Sequence, residues 1–140
     1  MKQEFITYQQ ALELKELGFD EPCFGWFRST LIPSNFTEFF LETEFGMNES
    51  PSDWVNSNFL DEACSAPLYQ QAFRWFREKH DLHSCVAPVY EDEISKVIVY
   101  WFWIQGFDSF EDEDINYKTP EEAELACLIK LIEIVKTKQL

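Results

Sequence analysis

The chain has 140 residues, and its 26 Asp or Glu against 11 Lys or Arg give a formal charge of -15 at pH 7. Its 14 Phe, five Tyr and five Trp are far too many large apolar rings for a disordered acidic chain, so a core is expected, and the length fits a single domain over 1–140. The charge excludes nucleic-acid phosphate and anionic membrane as natural partners, because both are repelled.

No apolar h-region follows Met1-Lys2-Gln3-Glu4. The longest apolar run, Val97–Ile104, has eight residues, where a bilayer needs about 18. A cytoplasmic chain with no membrane association is expected.

The first helix is predicted over Tyr8–Leu17. Thr7 and Gln10 form a capping box, and Ala11, Leu12, Leu14 and Leu17 carry the apolar face. Gly18 supplies the left-handed residue of a Schellman ending, which packs Phe19 back onto Leu14. Pro22 blocks further helix, and the aromatic run to Arg28 reads as a strand. Pro33-Ser34-Asn35 marks a turn. The alternation of Thr37, Phe39, Leu41, Thr43 and Phe45 against Glu38, Glu42 and Glu44 favours a strand over Phe36–Phe45. Gly46–Asp61 reads as a long loop with one short helical turn near Trp54.

Pro67 suits a first helical position, and the second helix runs Leu68–Lys79 with Leu68, Ala72, Trp75 and Phe76 on one stripe. Cys85–Tyr90 is a strand that Pro88 confines to an edge or a bulge. Glu91-Asp92-Glu93 is a charged turn. Lys96–Gln105 is the clearest strand, and Phe107–Asn116 an acidic loop. The last helix is capped by Thr119, opened by Pro120 and boxed by Glu122. Its face of Leu125, Leu128, Ile129, Leu131, Ile132 and Val135 packs under a sheet or against a second subunit. The fold class is therefore α+β: a small antiparallel sheet with helices packed mainly on one face, in the order α-β-β-loop-α-β-β-α. Tyr-Gln-Gln-Ala occurs at Tyr8–Ala11 and again at Tyr69–Ala72, each copy opening a helix before a Cys-bearing strand.

Four cysteines, Cys23, Cys64, Cys85 and Cys127, form no Cys-x-x-Cys pair. Without an export signal they are expected as free thiols, with Cys127 a small core residue.

Phe5–Leu12, Leu17–Cys23, Ala66–Lys79 and Glu121–Leu128 with Leu131–Lys136 resemble a family of small uncharacterised proteins found in phages and integrated elements of gut-dwelling bacteria. The resemblance implies a phage-like or mobile-element origin and carries over no catalytic residue. Separately, Pro67–Lys136 is similar in element order to double-stranded-RNA-binding domains. Those need Lys or Arg at the start of the last helix, where this chain has Glu121, Glu122 and Glu124, so no direct nucleic-acid partner is expected.

His80, His83 and Cys85 are candidate metal ligands, though their spacing is not a standard one and a polar helix end explains them as well. Asp108, Glu111, Asp112, Glu113 and Asp114 lack the central Gly and terminal Glu of an EF-hand, and read as a solvated acidic loop. His83 and Cys85 lie too close in sequence to be oriented independently as a nucleophile pair, and the four glycines are scattered, so no phosphate loop is present. No cofactor is expected. In Tyr100-Trp101-Phe102-Trp103, alternate residues face opposite sides. Trp101 and Trp103 are then either a partner-binding surface together with Asp108, Glu111, Asp112, Glu113 and Asp114, or covered by the loop around Trp54 and Phe59. The leading reading is a non-catalytic protein that binds another protein or forms a homodimer. The alternatives are an acidic mimic of nucleic acid that occupies a basic host protein, and a metal-dependent hydrolase.

Overall fold

The computed structural model describes residues 4–30, 36–41, 55–59, 63–107 and 116–139, with the backbone alone at 29, 30 and 36–38. These residues form three helices and two small antiparallel sheets, a mixed α+β fold. The chain divides into two compact units, Met1–Gln71 and Ala72–Leu140. No helix among the described residues is long and apolar enough to cross a membrane.

In the first unit, α1 (Tyr8–Glu16) ends as its sequence dictates. Gly18 takes φ +95°, its N–H donates to the Lys15 carbonyl, and the Phe19 N–H donates to the Leu14 carbonyl at 3.0 Å. This is the expected Schellman pattern, with Phe19 and Leu14 both buried. The start of α1 differs from a capping box: the Thr7 hydroxyl donates to the Gln10 side-chain oxygen and accepts from no helix N–H.

Strand β1 (Gly25–Thr30) lies between β2 (Phe36–Leu41) and β3 (Ala63–Ala66), both antiparallel to it. The aromatic alternation fills both faces. Trp26 stacks on its register partner Phe40 at 4.4 Å and on Phe59 at 5.5 Å. On the other face Phe27 meets its partner Phe39 at 5.1 Å, and Phe5 and Tyr8 close the row. Gly25 is required by that crowding, because a Cβ there would stand 3.0 Å from the Phe39 ring. β3 has no counterpart among the expected strands, and the strands form two small sheets, β2-β1-β3 and β4-β5, rather than one. Its Ala-Cys-Ser-Ala sequence lacks the branched and aromatic residues that mark strands, yet Cys64, Ser65 and Ala66 are buried where α1 packs on it.

Asn56 opens a single 3-10 turn, Asn56–Asn58, just beyond the position expected for one. It is buried, donates to the Phe19 carbonyl at 2.7 Å and accepts from the Ser65 N–H at 2.8 Å. Lys15 caps the same segment through the carbonyls of Ala63 (2.8 Å) and Phe59 (3.3 Å). Both Tyr-Gln-Gln-Ala copies open a helix, and the residues before them pair: Phe5 bridges Leu68, and the Ile6 N–H donates to the Pro67 carbonyl.

Helix α2 (Tyr69–His80) begins just before the boundary between the units, and Tyr69, Ala72, Trp75 and Phe76 form its buried stripe. In the second unit, β4 (Ser84–Tyr90) and β5 (Ile98–Ile104) form one antiparallel hairpin on which α3 (Pro120–Lys138) packs. Thr119 caps α3 by accepting from the Glu122 N–H, while the Glu122 carboxylate reaches back to the Lys118 N–H. The buried face of α3 holds Ala123, Cys127, Leu128, Leu131, Ile132, Ile134 and Val135. Ile129, expected on that face, is 46% exposed, and Ile134 takes a place on it instead. The 3.6-residue period places Ile129 and Ile134 at opposite margins of the stripe of Leu128, Leu131, Ile132 and Val135, and only the Ile134 margin is covered.

Candidate functional site

The β4–β5 ladder alternates in the antiparallel manner. The Gln105 N–H donates to the His83 carbonyl at the base, and the Glu91 N–H donates to the Val97 carbonyl at the tip, both at 2.8 Å. Between Glu91 and Val97 the loop is built around one side chain. Asp92 accepts from the N–H groups of Ile94 (2.7 Å) and Ser95 (2.6 Å) through one oxygen and from the Ser95 hydroxyl (2.6 Å) through the other. These bonds, the Ser95 hydroxyl foremost, hold the Asp92 carboxyl below the ordinary carboxylate range. Lys96 completes the turn at φ +52°.

This ordered loop presents apolar side chains to water. Ile94 is 95% exposed, Tyr90 64%, Ile98 50% and Val97 47%. Tyr90 and Ile98 are register partners and so stand side by side on one face. Glu91, Asp92, Glu93 and Lys96 are interleaved with them and are all exposed. The tip therefore combines a preorganised backbone, an apolar cluster and a net charge of -2 from three acids and one lysine. The Glu-Asp-Glu-Ile-Ser-Lys sequence carried the signal, an isoleucine inside a charged turn. Val97 and Ile98 were hidden because they extend the pattern of β5.

The residues expected to act are placed as follows. Trp101 and Trp103 lie on β5 and both are half-buried, so neither is an open patch nor fully covered. Phe59 is half-buried and stacks on Trp26. Asp108, Glu111, Asp112, Glu113 and Asp114, like Trp54, lie outside the described residues. His80 ends α2 against Trp75 (4.8 Å) and Phe76 (5.9 Å), and its Nε2 is buried without a hydrogen-bond partner. Burial, then the charge of Lys138, lowers its pKa. His83 is exposed and contacts Asp81 at 3.1 Å, and Cys85 is exposed on β4. Among the described residues no group of three His, Cys, Asp or Glu is gathered that could hold a metal ion.

All four cysteines are free. Burial pushes the thiols of Cys23, Cys64 and Cys127 up to about 12. They stay protonated at neutral pH and are poor nucleophiles. Cys127 is fully buried, as expected for a small core residue. The chain matches no family model, no curated protein and no solved structure.

Proposed function

We propose that this chain is a non-catalytic, cytoplasmic protein-interaction protein, of the phage or mobile-element type that its sequence resembles, and that the β4–β5 tip is its docking element. The observation that carries this reading is the exposure of four large apolar side chains, Tyr90, Ile94, Val97 and Ile98, on one ordered loop. A single exposed apolar residue is ordinary, but a cluster on a preorganised backbone is the form that interface anchors take. The half-buried Trp101 and Trp103 have less free surface to offer.

The test is retention of a partner from native host lysate on immobilised full-length chain. A partner kept by wild type and by Ile129→Asp, but lost from Ile94→Asp/Ile98→Asp, supports the reading. Equal retention on all three overturns it.

A further inference from the structure

We infer that the β4–β5 tip inserts end-on into an apolar pocket of a partner protein whose rim carries Lys or Arg; this rests on the reading of the tip as the docking element. The first support is that the edges of the hairpin are poorly suited to strand addition. Tyr100 exchanges both backbone hydrogen bonds with Tyr117, at 2.8 and 2.9 Å, along the outer edge of β5. Those groups of Tyr100 therefore point away from β4, which makes its register partner Pro88 a non-hydrogen-bonded position of the ladder. The nitrogen of Pro88 then lies on the outer edge of β4, and a proline there can donate nothing to an added strand. An incoming β-strand would meet an occupied position on β5 and a missing donor on β4. Among the described residues of the hairpin, the large exposed apolar side chains are all at the tip.

The second support is charge. Ile94 and the Tyr90–Ile98 pair supply apolar anchors, and Glu91 and Glu93 flank them while Asp92 is engaged by the loop backbone. An anchor rimmed by exposed carboxylates matches a pocket rimmed by cations, which speeds encounter and rejects wrong partners. A second copy of the chain is a poor occupant, since it brings the same -15 and a symmetric contact would set the acidic tips against each other. An anionic lipid surface is repelled on the same ground.

The probe is a displayed library of random peptides, selected on full-length chain and then measured as free peptides in solution. The expected winners combine Lys or Arg with large apolar residues. Ile94→Asp should weaken them by about tenfold or more, as loss of a central anchor does, while Ile129→Asp leaves them unchanged. Raising the salt should weaken them several-fold. Peptides that depend on Ile94 but lack basic residues and ignore salt would overturn the partner chemistry while leaving the tip as the docking element. Peptides indifferent to Ile94 would overturn both. Pairing of a selected peptide with the β4 edge, seen as new amide protection at Val86 that is lost on no tip substitution, would overturn the end-on mode. Ile94-dependent binding to uncharged phosphatidylcholine vesicles, with no peptide selected, would replace the protein partner by a lipid surface.

Discussion

At the base of the β4–β5 hairpin, on which α3 packs, Ile104 is fully buried. At the tip of the same hairpin Ile98 is half exposed and Ile94 almost wholly so. The two ends share a backbone ladder and a residue type, and differ in what covers them. Burying an isoleucine contributes about 1.5–3 kcal/mol relative to leaving it in water. The base gains that stabilisation and the tip forgoes it, although the tip loop is organised by three hydrogen bonds to Asp92. Under the proposed function, the contact that covers these apolar groups lies outside the chain.

The contrast is broken most sharply at the base. Ile104→Ala should destabilise the chain by about 2–5 kcal/mol, whereas Ile98→Ala should stay within about 0.5 kcal/mol of wild type; paired urea unfolding curves give both. A smaller effect is expected at the cap of α3. Thr119→Ala removes the acceptor for the Glu122 N–H and should cost about 1 kcal/mol. Hydrogen exchange at Ser95 should not change in that variant. Lys96 occupies a left-handed conformation that glycine adopts without strain, so Lys96→Gly should stabilise the fold by up to about 1 kcal/mol, read as a rise in urea midpoint.

The pH effects are smaller and fall at the hairpin tip and at the end of α2. The carboxyl of Asp92 is depressed in the folded chain. Its contribution is complete above its ordinary titration range and is lost as pH falls through the lowered folded value. The Ser95 amide resonance should report that titration, and Asp92→Asn should abolish it. His80 is a base with a lowered folded pKa, so folding favours its neutral form. Stability is complete above its ordinary value of 6.5 and declines as pH falls through 6.5 toward the folded value. The urea midpoint should drop on acidification in wild type and drop less in His80→Gln.

Much of the fold was legible because local signals and packing agree. Gly18 with Phe19, Thr119 with Pro120, and the apolar periods of α1 and α3 each place an element by themselves. Pro88 correctly marked β4 as an edge. β3 was not legible: Ala63–Ala66 is a strand because β1 and α1 need small residues beside them, a tertiary demand with no local signature. Thr7 looked like one half of a capping box, yet the partner of its hydroxyl is the Gln10 side chain. The candidate site was legible only as composition. A charged turn with an isoleucine was visible, but exposure depends on where α3 stops covering the hairpin, which no local pattern records.

The central claim is that the tip binds without stabilising the fold. The most direct test is the urea midpoint of Ile94→Asp, measured on the sample used for its affinity toward a selected basic-apolar peptide. The account predicts an unchanged midpoint with affinity lowered by about tenfold or more. A midpoint that falls together with the affinity would contradict it, because Ile94 would then be part of the core and not of a docking surface.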